Sequence, residues 1–154
     1  MADSLDLESR IRRLEDIEAI KQLKDRYFLS GNLGKWDEAA DCFTDTAYAR
    51  YGPIIECKGK KAINEFLSTN PERMVIHHKH SHAIDITSDA TAKGICNWQV
   101  MLGKSGQAYW AAGIQEDEYV KVNGQWKMQK LVLTFHFLTE YEQGWVKQRM
   151  TQIK

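Results

Sequence analysis

Three features of the chain predict an α+β fold. The first half carries apolar residues at helical spacing, and the second half carries long runs with strand character. Between two of those runs stands Asn123-Gly124, the strongest hairpin signal in the sequence. Helices gathered first and a meander of strands gathered later place the helices on one face of a curved antiparallel sheet.

The elements follow in order. From Leu7 the apolar residues fall at Ile11, Leu14, Ile17, Ile20, Leu23 and Tyr27, which reads as one stripe of an amphipathic helix. Ser4 is the predicted N-cap and Gly31 the predicted stop. A short second helix, "GKWDEAADCF", turns Trp36, Ala39, Ala40 and Phe43 inward. "TAYARYG" is a strand ending at the Gly52-Pro53 turn. "GKKAINEFLSTN" is a third helix with Ala62, Ile63, Phe66 and Leu67 on its apolar face. Four strands come next: "MVIHHKHSHAIDIT", "GICNWQVMLG", "QAYWAAGIQEDEYVKV" and "QWKMQKLVLTFHFLTEY". The tail over 140–154 reads as a short helix or a frayed end. No repeat or linker divides the chain, so 1–154 is expected to form a single domain.

Composition narrows the function. The 154 residues suffice for a real core. Lys plus Arg and Asp plus Glu number 21 each, so the surface offers no drive toward phosphate backbones and nucleic acid is not an expected partner. No apolar run approaches a membrane span, and the charged N-terminus lacks a signal core. Cys42, Cys57 and Cys96 are odd in number and widely spaced, which suits reduced thiols and a cytoplasmic location.

Four of the five histidines crowd into "HHKHSH". In a regular strand His78, His80 and His82 share one face and His77 takes the other. Ile84 and Ile86 extend the even face, so simple alternation turns the even histidines inward. Such a trio can hold zinc with an open fourth position. Asp85 has the wrong parity to support His82, however, and no second ligand cluster exists, so no metal is expected. His136 and Asn97 are expected to face outward.

The motifs "DIEAIKQLKDRYF", "WDEAADCF", "KGKKAINEFL" and "YVKVNGQWKM", in this order from about Leu14 to Phe137, resemble the SnoaL-like branch of the NTF2-like superfamily. The likeness is nearest to bile-acid dehydratases, with scytalone dehydratase and dehydrochlorinases further off. It implies a cone in which a strongly bent antiparallel sheet wraps three helices around an apolar pocket. The family's catalytic histidine matches His77, counted back from "ITSDATAKG". A strand bulge near His78 to His80 would reconcile that match with the parity of Ile84 and Ile86. The resemblance also implies pocket phenols at Tyr27 and Tyr51.

Three positions depart from the family. Asn32 stands where an aspartate is usual, Val100 where the bile-acid enzymes have an aspartate, and Phe135 where they have an arginine. Asparagine can orient a histidine but cannot act as a base. A more apolar pocket is therefore expected, lined by Trp98, Val100, Trp110, Leu133 and Phe135. The resemblance implies a cofactor-independent lyase or isomerase (dehydratase, isomerase or cyclase) working on a hydrophobic ring compound such as a steroid or polyketide. His77, Tyr27, Asn32 and Tyr51 would carry the proton transfer. A binding protein of the same fold, without turnover, is the alternative. A homodimer or higher homo-oligomer is expected, pairing through the outer sheet face with Tyr109, Trp110, Leu131 and the tail as candidates.

Overall fold

In chain order the elements are α1 (Leu7–Asn32), α2 (Trp36–Ala40), β1 (Phe43–Tyr51), β2 (Ile55–Lys58), α3 (Lys60–Ser68), β3 (Met74–Ser88), β4 (Thr91–Lys104), β5 (Gln107–Val122), β6 (Gln125–Glu140) and α4 (Gly144–Lys147). This computed structural model describes residues 6–69, 74–148 and 150–151, without the side chains of 145 and 146. The six strands form one curved sheet in the order β2-β1-β6-β5-β4-β3. All neighbours are antiparallel except β1 and β6, which run parallel. The expected α+β architecture is present, and the parallel pair arises where the strand between the helices closes against the last strand of the meander.

The hairpins form where turn chemistry asks for them. Asn123 and Gly124 both take positive φ, 50° and 78°, as a two-residue primed turn requires. Ser105 and Gly106 do the same between β4 and β5. The four-residue β2 was not expected from the sequence, because "IECK" is too short to show alternation. α1 is capped by Asp6, whose carboxylate accepts from the Ser9 amide at 2.8 Å. Ser4, the predicted cap, lies outside the described residues. The tail makes the one-turn α4, and Met150 bridges to Leu138 beyond it.

The core lies between α1 and the inner sheet face. Ile20, Leu23, Tyr27 and Phe28 meet Trp98, Val100, Met128, Leu131 and Leu133. The expected single stripe of α1 is corrected by this packing. Each step of three residues falls about 60° short of a full turn. The four such steps from Ile11 to Leu23 therefore carry the apolar line about 240° around the helix. Ile20, Leu23 and Tyr27 reach the core, whereas Leu7, Ile11 and Leu14 are 69%, 47% and 66% exposed. The three cysteines are buried and unbridged.

Candidate functional site

The position of His77 depends on a defect in β3. Cross-strand partners run His77↔Val100, His78↔Gln99, Lys79↔Trp98 and His80↔Asn97, then resume at Ala83↔Ile95. β3 thus carries one extra residue there, and Ser81 takes a φ of 52°. Such a bulge reverses which parity faces inward. Ahead of it His77 shares the inner face with the buried Val100, and His78 and His80 are exposed. Beyond it His82, Ile84 and Ile86 turn inward. His82 reaches the buried Tyr119, with Nε2 3.3 Å from the phenol oxygen. The three even histidines therefore do not share a face, which removes the geometry of a zinc trio. No group of three His, Cys, Asp or Glu able to hold a metal occurs among the described residues.

The end of α1 meets His77 through one side chain. The Asn32 carboxamide oxygen accepts from the His77 amide at 2.7 Å, and its Nδ2 donates to the His77 carbonyl at 3.2 Å. β3 is the last strand of the sheet, so this amide takes the place of a missing neighbouring strand. The same oxygen lies 3.1 Å from His77 Nδ1. An oxygen held toward N–H groups can only accept, so the bonding pattern assigns the proton to Nδ1 and basicity to Nε2.

One turn earlier Tyr27 reaches Tyr51, the last residue of β1, with the phenol oxygens 3.1 Å apart. Burial pushes the Tyr51 phenol well above its ordinary range, and the neighbouring Tyr27 adds to this. Tyr51 is therefore held as a neutral phenol. These groups belong to a closed circuit of contacts. Tyr27 lies 5.3 Å from Phe28, Phe28 5.7 Å from His77, His77 6.0 Å from Trp98 and Trp98 5.6 Å from Phe135, ring centroid to centroid. Phe135 closes on Gly52, the residue after Tyr51: a Cβ there would stand 2.6 Å from the ring. Val100 and Leu133 sit on the same inner face, opposite His77 and Tyr51 in register. Tyr27, Asn32, Tyr51, His77, Trp98, Val100, Leu133 and Phe135 are thus brought together.

Trp110 is not among them, which corrects the expected lining. It pairs in register with Met101 on the outer face, and its ring lies 6.1 Å from Phe137 and from Tyr141. A second bulge explains part of this pattern. Ala112 pairs with Phe137 but Gly113 with Phe135, so His136 is the extra residue. Phe135 faces in, Phe137 faces out and His136 is exposed. Of the expected contact residues for a second copy, Tyr109 and Leu131 point inward and are buried.

A buried polar network went unforeseen. Lys24 and Asp117 are both fully buried and form an ion pair at 2.7 Å. Gln115 donates to the other Asp117 oxygen at 3.1 Å, and the Tyr119 hydroxyl donates at 2.9 Å to the oxygen that Lys24 also holds. The Lys24 ammonium lies 5.5 Å from the Tyr27 ring and 5.3 Å from Phe28, so the network supports the α1 residues that carry the site. The parity of Tyr109 and Ala111 along β5 already places Gln115, Asp117 and Tyr119 inward; that signal was available in the sequence. Burial lowers the His82 imidazole from 6.5 to about 4, with the Lys79 and Lys24 charges adding to it.

An open cavity of about 470 Å³ lies elsewhere, on the outer face, between Ala83, Asp85, Lys93, Ile95, Glu118 and Lys130. Its charges alternate, and Lys130 pairs with Glu118 at 3.1 Å. The His77 circuit is the better chemical candidate because it sets an oriented imidazole and two phenols among apolar side chains.

A sequence profile of the SnoaL-like domain matches residues 12–132. A protein from Novosphingobium aromaticivorans provisionally assigned as a scytalone dehydratase superposes with a TM-score of 0.80 at 23% identity, over 86% of this chain and 91% of that one. A type 2 hexachlorocyclohexane dehydrochlorinase (LinA) gives 0.78 at 20%, over 85% and 92%. An NTF2-like protein with a cystatin-like fold, also from Novosphingobium aromaticivorans, gives 0.74 at 18%, over 88% and 91%. Identities this low speak to the shared fold. No helix among the described residues is long and apolar enough to cross a membrane.

Proposed function

The chain belongs to the SnoaL-like branch of the NTF2-like superfamily, and from that premise we propose that it is a cofactor-independent proton-transfer enzyme acting on a hydrophobic ring compound. The observation that carries this reading is the Asn32-oriented imidazole set in one contact circuit with the Tyr27–Tyr51 phenol pair.

In this reading His77 Nε2 removes a proton beside a carbonyl. The electron pair left behind moves onto the carbonyl oxygen, where the Tyr27–Tyr51 pair donates a hydrogen bond to the forming enolate. If a β-hydroxyl then departs, it takes up a proton and leaves as water, and the reaction is a dehydration. If the proton returns at another carbon, the reaction is an isomerisation. If the enolate carbon attacks a second carbonyl carbon, whose π pair moves onto its oxygen and takes up the proton held by His77, it is a cyclisation. A positioned base contributes about 10²–10⁴ in rate and an oxyanion donor about 10²–10³. Asn32 orients the imidazole without a charge to stabilise its protonated form, which favours substrates whose proton is already acidic. Apolar Val100 and Phe135 favour an uncharged ligand.

A binding protein of the same fold remains the second reading, favoured by those two apolar positions where dehydratase-like chains carry charge. Ring ketones such as tetralones and steroid ketones, incubated with the protein in D₂O and followed by NMR, separate the two. Accelerated loss of the α-proton signal supports the enzyme. Tight binding of these ketones with exchange no faster than in buffer refutes it and leaves the binder.

A further inference from the structure

The outward side of α1 carries an apolar seam that is exposed among the described residues. Leu7, Ile11 and Leu14 stand at spacings of four and three, on the helix side opposite Ile20, Leu23 and Tyr27, and all three are exposed. Polar contacts on the other side already hold this half of the helix. Arg13 bonds the Ile86 carbonyl at 3.2 Å and Asp85 at 3.3 Å. Asp16 takes the Trp126 indole N–H and the Lys121 ammonium, each at 2.7 Å. A lone exposed aliphatic is ordinary, but three in a row on a held helix form a contiguous patch.

The spacing and charges commit that patch to one occupant. Written as heptads, Leu7 and Leu14 are d positions and Ile11 is an a position, the pattern that favours two parallel strands. Arg10 then falls at g and Glu15 at e, five residues on, where a parallel partner brings g of one helix to e of the other. Both are exposed, and neither forms an ion pair among the described residues. An antiparallel pair would instead set the e positions Glu8 and Glu15 against each other. From these placements we infer that the N-terminal half of α1 docks, parallel and two-fold, on the same segment of a second copy. Arg10 of each chain then meets Glu15 of the other. The core faces of the two helices point apart, so both domains fit. The seam ends at Glu18, the next a position, so the dimer is weak and dissociates on dilution.

Sedimentation equilibrium from micromolar to near-millimolar protein tests this. The expected mass rises from 17.8 kDa toward twice that value. Ile11→Lys, at an exposed position that leaves the circular dichroism unchanged, holds it at the monomer. Arg10→Glu or Glu15→Arg alone weakens association roughly five- to thirtyfold, and the double exchange restores it. A monomer at every concentration overturns the inference. So does an association that survives Ile11→Lys but is lost in Met101→Lys, which would place the contact on the outer sheet face. A double exchange that fails to restore association overturns the parallel arrangement.

Discussion

Asn32 grips His77 at three points: it accepts from the backbone amide, donates to the backbone carbonyl and accepts from ring Nδ1. One side chain therefore closes the edge of β3 and fixes the imidazole tautomer together. Asn32→Ala leaves the edge amide and carbonyl of His77 without this partner and should cost about 1–3 kcal/mol of stability. Asn32→Asp keeps an acceptor at Nδ1 but loses the donor to the carbonyl. Its negative charge favours the imidazolium, so the His77 titration followed by NMR should move to higher pH. An unchanged titration in Asn32→Asp would show that the two side chains do not interact as described.

His82 should make the fold acid-sensitive. Its unfolded form takes up a proton near 6.5, whereas the folded form resists until about 4. The unfolded state thus binds more protons in that interval. Stability is complete above pH 6.5 and falls as the pH drops from there toward 4. Lys79 and Lys24 oppose protonation, and Asp117 and Asp25 only partly offset them. Urea midpoints measured from pH 7.5 to 4 should show the loss, and His82→Gln should flatten it. Equal slopes in both proteins would exclude His82 as the cause.

The Lys24–Asp117 pair should tolerate joint replacement better than separation. Lys24→Met strands a buried carboxylate and should cost about 3–5 kcal/mol. Lys24→Met with Asp117→Leu removes both charges and should recover much of that, read as thermal midpoints. A double variant no better than the single one would mean that Gln115 and Tyr119 depend on the carboxylate more than Lys24 does.

Gly52 is constrained twice. Its φ is 69°, and a Cβ would meet the Phe135 ring at 2.6 Å. Gly52→Ala should lower stability by about 1–3 kcal/mol through overpacking. Adding Phe135→Leu should return part of it. Full tolerance of Gly52→Ala would show that Phe135 is not pinned between Gly52 and Trp98.

Much of this architecture is legible in the chain. The order of helices and strands follows from period, and the Asn123-Gly124 turn locates a hairpin to the residue. The match of His77, Tyr27 and Tyr51 to a dehydratase-like pattern anticipates three residues that the fold does gather. The β6 bulge is not legible, and the β3 bulge shows only as a conflict between the match of His77 and the parity of Ile84 and Ile86. Nothing in "KHSHA" or "TFHFL" marks Ser81 or His136 as the extra residue, because a bulge is settled by how the neighbouring strand registers. Hence Phe135 and Phe137 part company, and His82 leaves the company of His78 and His80. The α1 stripe misleads for another reason: steps of three look periodic on paper but drift around a helix. Trp110 fails as lining because a large aromatic on a strand fits either face, and only the register with Met101 decides.

The basicity of His77 is best tested by comparing α-proton exchange with ligand affinity, for a ring ketone that the unmodified protein turns over in D₂O. His77→Ala should slow exchange at saturation at least about a hundredfold while affinity stays within a few-fold. Exchange at the unmodified rate in His77→Ala, with affinity intact, would contradict the assignment of this imidazole as the base.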